Sequence, residues 1–180
     1  MPLLSTPSRA KRFFDRLAPA YDRINTRIYR EAWRSRIRGE ILGPRVLDVG
    51  VGTGFTTGHL ETAVGIDLSL EMLHRARHRG QLVRADFLLA PFRDTTFDTV
   101  LFAGSFYYLG DPLAGMREAA RLLRPGGRIL LLSPATILLA PMVRVYSPEQ
   151  YEAMMARAGI RMERYDRLNW AACFVRGSKT

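Results

Sequence analysis

From Pro44 onward, short apolar runs alternate with segments whose apolar residues recur every three or four positions. The runs are RVLDV (45–49), AVGID (63–67), QLVRA (81–85), DTVLFA (98–103) and GRILLL (127–132). Each has the length and composition of a buried strand. The intervening helices carry their own start signals. Ser69 caps a helix holding Met72 and Leu73, and Asp111-Pro112 places a cap residue before a proline at the first helical position. Ser147-Pro148-Glu149-Gln150 spells a capping box for a helix running to Ala158-Gly159. A short helix is predicted after the glycines of residues 50–54, through Leu60. Two last strands, near 160–167 and 170–176, have no helix between them and form a hairpin, so at least one runs antiparallel. The pattern predicts an α/β fold: a seven-stranded, mostly parallel sheet with helices on both faces and an antiparallel C-terminal strand.

The first 42 residues read differently. An opening helical segment is broken at Pro19. From Tyr21 to Leu42, Arg23, Arg27, Arg30, Arg34 and Arg38 recur every three or four residues beside a stripe of Ile24, Ile28, Trp33, Ile37 and Ile41. That predicts one amphipathic helix with a basic face.

Composition adds limits. A chain of 180 residues suits one domain with a real core. Its expected parts are an N-terminal helical segment (1–42), a core (45–134) and a C-terminal helix and hairpin (147–177). No run of about 18 apolar residues predicts a membrane-spanning helix. The N-terminus lacks the pattern of a secretion signal. Cys173, the single cysteine, permits neither an intrachain disulfide nor a cysteine-based zinc cage, and points to a reducing, cytoplasmic setting. The net charge is +10, and +7 of it falls in residues 1–45, which hold eleven Lys or Arg against four acids. Such an excess admits a nucleic acid or an anionic membrane surface as partner, or a merely solvated surface. The reading places a small-molecule partner ahead of these.

VLDVGVGTGF (46–55) carries the chemistry. A strand running into glycines lets the backbone approach a ligand, with free N–H groups pointing into the crevice beyond the strand ends. The dinucleotide pattern spaces its glycines G-x-G-x-x-G, but here the third comes one residue early and Phe55 takes the last place. That opposes a nicotinamide dehydrogenase. The G-x-G-x-G spacing of Gly50, Gly52 and Gly54 is the form common in S-adenosylmethionine (SAM) enzymes. Asp67 ends the second strand, where a carboxylate can accept from both ribose hydroxyls, or cap the following helix. Asp86-Phe87 follows the third strand, where a polar edge and an apolar face could grip an adenine, or where Asp86 makes a local turn.

VLDVGVGTG, GIDLSLEML, ADFLLAPF, FDTVLFAGSFYYLGDP and REAARLLRPGGRILLLSP together resemble the successive motifs of class I SAM-dependent methyltransferases, with their Rossmann-like three-layer fold. FFDRLAPAYDRIN further resembles the opening of the ubiquinone/menaquinone biosynthesis methyltransferases. The resemblance implies that Tyr21 closes over the cofactor from an N-terminal helix. It places Asp48, Gly50, Gly52, Thr53 and Gly54 around the methionine part of SAM and Asp67 at the ribose. Leu68 and Met72 lie against adenine, Asp86 and Phe87 at its rim, and Gly104 and Ser105 beside the sulfonium and substrate. One departure stands out: the family carries a long segment between the fifth strand and the next helix. Here that interval is only Pro134 to Tyr146, which implies a smaller or more open pocket.

These features predict methyl transfer to a small, quinone-like or otherwise apolar, possibly anionic acceptor. The alternatives are an RNA methyltransferase using the basic face and a nonenzymatic SAM-binding or membrane-associated protein. Tyr107 and Tyr108, in the substrate-facing loop GSFYYLGD, are the candidate catalytic residues, with packing beside the Asp111 cap as the other reading. Ser105-Phe106-Tyr107-Tyr108 lacks the Asn-Pro-Pro-Tyr of amide methyltransferases. No metal site is expected: His74 and His78 share a helix spacing but sit in an arginine-rich stretch, and His59 reads as a surface or packing residue. ILLAPMV (137–143) reads as an edge over the core, a substrate lip or a lipid contact.

Overall fold

The structure is a computed structural model that describes residues 2–28 and 31–180. Seven strands form one sheet: β1 (Val46–Val49), β2 (Val64–Asp67), β3 (Gln81–Arg84), β4 (Phe97–Ala103), β5 (Leu123–Pro134), β6 (Ile160–Arg167) and β7 (Ala172–Lys179). Their spatial order is β3-β2-β1-β4-β5-β7-β6. The first five pair in parallel. β7 enters antiparallel between β5 and β6, so it alone opposes the common direction. The fold expected from the alternating pattern is the fold observed. β5 begins at Leu123 rather than residue 127, and β7 reaches Lys179.

The helices are α1 (Pro7–Leu17), α2 (Tyr21–Ile28), α3 (Glu31–Glu40), α4 (Leu70–Arg75), α5 (Pro112–Leu122) and α6 (Pro148–Ala156). Alternation along the central strands sorts them into layers. Val100, Phe102, Ile129 and Leu131 point to the side covered by Met116 and Ala119 of α5 and by Tyr151 and Met155 of α6. Leu101, Leu130 and Leu132 point the other way, with Phe174, onto Ile37 of α3. The caps are those read from the sequence. Ser69 Oγ accepts from the Met72 N–H, Asp111 from those of Leu113 and Ala114, and the Ser147–Gln150 capping box is closed.

Three expectations need correction. The predicted helix of residues 21–42 is two helices, α2 and α3, while Arg30 and the side chains of Arg27 and Ile28 lie outside the described residues. Its arginines are not one solvated face either. Arg34 turns inward, Arg36 reaches Asp166 of β6, and Arg38 pairs with Glu31. Ile24 of the apolar stripe is exposed, whereas Trp33, Ile37 and Ile41 join the core. Second, residues 52–59 form successive turns instead of a regular helix. Two further glycines and Thr56-Thr57 give the segment poor helix propensity, and Gly54, at φ +80°, stands outside helical space. Third, α4 stops at Arg75, so His78 shares no helix face with His74. Among the described residues no group of metal-ligating side chains forms, and no helix is long and apolar enough to cross a membrane.

Candidate active site

Parallel strands end together, and β1, β2 and β4 deliver their loops to one edge of the sheet. There a cleft of about 800 Å³, counting space open to solvent, lies between the loops and α1. Gly50, Gly52, Asp67, Leu68 and Met72 line it. Asp86, Phe87, Gly104 and Ser105 continue the wall, and Tyr21, Phe14 and Tyr108 close it. Eleven positions singled out in the sequence thus meet at one place.

The glycine turn is built for close approach. Gly50 sits at φ +70°, and a β-carbon there would lie 2.5 Å from Ser105 Cβ. Ser105 is locked to the same turn by donating its hydroxyl to the Val49 carbonyl. Gly52 presents its amide inward, donating to Asp67 Oδ2 over 2.9 Å. The Ser69 N–H donates to Asp67 Oδ1 over 2.8 Å, so the carboxylate is aimed by two backbone bonds and retains lone pairs toward the cleft. Burial raises the Asp67 carboxyl above its ordinary value, against the N–H bonds of Ser69, Gly52 and Leu68, which lower it. Asp86 caps a short turn by accepting from the Leu88 N–H, while also lining the cleft. The local turn of the second reading is present, and Asp86 borders the cleft as well.

A second, smaller cavity joins the first at Tyr21, Gly50 and Ala103. Asp48, Asn25, Arg34 and Phe55 line it. Asp48 is fully buried, with Oδ2 accepting from Thr57 Oγ1 at 2.7 Å and Oδ1 left without a hydrogen-bond partner. Burial pushes its carboxyl up to about 7, the Thr57 bond opposes this, and the Asp67 charge adds to it. The Arg34 guanidinium stacks 4.0 Å above the Phe55 ring.

Three candidate residues line neither cavity. Thr53 donates to Asp22 Oδ1 at 2.6 Å, tying the glycine turn to α2. Gly54 faces the Arg77 carbonyl, which a β-carbon would approach to 2.8 Å. Its missing side chain serves packing. Tyr107 is buried among Leu4 and Val143, whereas its neighbour Tyr108 lines the cleft edge-on to Phe14, centroids 5.2 Å apart. Cys173 is buried in β7. Sequence reasoning missed Lys11 and Phe14, cleft-facing residues of α1. It also missed Asn25 and Arg34, which the arginine spacing made indistinguishable from surface.

A family model described as a methyltransferase domain matches residues 47–131. The demethylmenaquinone methyltransferase of Corynebacterium kroppenstedtii is 36% identical over 161 residues, covering 83% of this chain and 68% of that protein. The demethylmenaquinone methyltransferase of Corynebacterium urealyticum is 33% identical, covering 86% and 72%. Among solved structures, a SAM-dependent methyltransferase of Thermotoga maritima, described as a possible histamine N-methyltransferase, superposes with a TM-score of 0.78 at 21% identity. It covers 94% of this chain and 99% of that one.

Proposed function

The chain belongs to the SAM-dependent methyltransferases, in the group that holds the demethylmenaquinone methyltransferases, and from that premise we propose that its acceptor is a small, planar, hydroxylated apolar molecule of the quinol class. The observation that carries this reading is the mixed lining of one cleft. It holds the Asp67 carboxylate and the open glycine turn together with the rings of Phe14 and Tyr108 and the side chain of Leu109.

The residues present fit SAM on two structural counts. Asp48 Oδ1 is an orphaned buried acceptor, and a β-carbon at Gly52 would stand inside the cleft, 3.5 Å from Met72 Cε. Asp67 would hold the ribose hydroxyls. Leu68, Met72 and Phe87 would pack on the adenine, with Asp86 at its polar edge. Asp48 would meet the ammonium and Arg34 the carboxylate of the methionine part. When bound, SAM supplies an electrophilic methyl group on a sulfonium.

The chain's own residues prepare the acceptor. The Lys11 ammonium in the cleft wall, paired with Asp15, keeps further donors that would favour an ionised hydroxyl on it. Phe14 and Tyr108 offer flat faces to a ring and exclude water, which strengthens that charge effect. Tyr108 is the candidate catalytic residue; Tyr107, packed beneath it, is not. α1 and α2 act as the lid, held by Thr53–Asp22 and by Ser69–Asp15.

Incubation with labelled SAM, a series of reduced quinols and total RNA tests the reading. One methyl group on a quinol, identified by mass, is expected. Label confined to the RNA fraction would establish the RNA methyltransferase alternative instead.

A further inference from the structure

α1 has two faces. Pro7, Ala10, Lys11 and Phe14 turn to the cleft. Arg9, Arg12, Phe13 and Arg16 recur at the same helical spacing on the outside, where all four are exposed. No ion pair engages these three arginines among the described residues, whereas Arg36, Arg38, Arg45, Arg121, Arg124 and Arg176 each pair with carboxylates. The only acid on α1, Asp15, is turned to Lys11 and Ser69.

Beside this face stands an apolar ridge. The Leu3 and Leu4 amides donate to the Pro141 and Met142 carbonyls, both over 2.9 Å, joining the N-terminal strap to the turn of residues 137–142. Leu4 is buried by this union, but Leu3 stays 61% exposed, Ile137 81%, Leu138 74% and Met142 46%. Large aliphatic side chains so exposed and so close together mark a contact surface. The ridge continues inward: Leu139 and Tyr108 pack on the Leu4–Tyr107–Val143 cluster, and Tyr108 lines the cleft.

We propose that this ridge and the outer face of α1 dock the enzyme on an anionic lipid surface. The apolar side chains enter the acyl boundary while Arg9, Arg12 and Arg16 meet lipid phosphates, a division of labour that charge complementarity selects over a neutral partner. The packed side chains of Leu139 and Tyr108 then stand between the bilayer and the cleft. The inference goes beyond the acceptor reading and stands on the surface alone.

Vesicle co-sedimentation tests it without reading turnover, so its failure and the failure of the acceptor reading are separable. The protein is mixed with phosphatidylcholine vesicles, with or without about one-third phosphatidylglycerol. Binding to the anionic vesicles, weakened by added salt and nearly absent on neutral ones, is expected. The triple variant Arg9→Gln, Arg12→Gln, Arg16→Gln should need roughly a hundredfold more lipid for half-binding. Ile137→Ser with Leu138→Ser should need roughly tenfold more. Both variants should titrate SAM as the parent does, which controls for folding. Failure of the parent to sediment with anionic vesicles overturns the proposal. So does binding that neither variant weakens, or a dimer in sedimentation velocity that Ile137→Ser with Leu138→Ser dissolves.

Discussion

Ser69 Oγ donates to Asp15 Oδ1 across 2.5 Å, joining the last turn of α1 to the cap of the helix that follows Asp67. Lys11 holds the other Asp15 oxygen at 2.6 Å. Although desolvation opposes it, these bonds from Lys11 and Ser69 keep the Asp15 carboxyl below its ordinary value. The contact couples a segment over the cleft to the strand end that presents the Asp67 carboxylate. Asp15→Ala should therefore weaken SAM binding about 5- to 30-fold, the equivalent of 1–2 kcal/mol, while barely moving the melting temperature. Titration calorimetry beside a thermal melt measures both. Unchanged affinity would mean that α1 does not act as a lid.

Asp67→Ala deletes the acceptor proposed for both ribose hydroxyls. A loss of roughly 1–3 kcal/mol in affinity is expected for SAM and S-adenosylhomocysteine alike, because both carry the same sugar. A variant that discriminates between the two ligands would place Asp67 nearer the sulfonium than the ribose.

Asp48 makes stability and binding depend on pH in opposite senses. Its carboxyl is ordinarily 3.8 but is pushed up to about 7 in the fold by burial. Between those values the folded protein holds a proton that the unfolded chain has lost. Stability therefore falls as pH rises across that window, by about 4 kcal/mol, and Asp48→Asn should flatten the slope. A ligand ammonium at Oδ1 favours the ionised form. Affinity for SAM should accordingly rise with pH up to about 7, with proton release below it. Calorimetry in buffers of different ionisation enthalpy reads that release, and its absence would argue against the ammonium contact.

The two adjacent tyrosines should separate cleanly. Tyr107→Ala empties a buried site and should cost about 3–5 kcal/mol of stability. Tyr108→Ala should leave the fold nearly intact and lower kcat/KM for the acceptor by tenfold or more, with SAM affinity little changed. Denaturant melts and steady-state kinetics on both variants decide the matter; equal losses of stability would show that Tyr108 serves packing too.

Local pattern by itself determined the strands, the caps and the order of the glycine, Asp67 and Asp86-Phe87 segments, because alternation, capping and turn chemistry act over a few residues. Asp48, Gly50, Asp67 and Tyr108 were legible because strand ends in a parallel sheet converge by topology. Tertiary packing alone decided the rest. Gly54 and Gly52 look equivalent in the chain, yet Gly54 is spoken for by the Arg77 carbonyl, 23 residues on, and Gly52 by the cleft. Arg34 and Arg38 are one helical turn apart, but only Arg34 finds an aromatic ring and a cavity beside it. Arg9 and Lys11 differ in surroundings by which side of α1 the cleft lies on. Such choices rest on contacts between residues distant in sequence, which local periodicity does not encode.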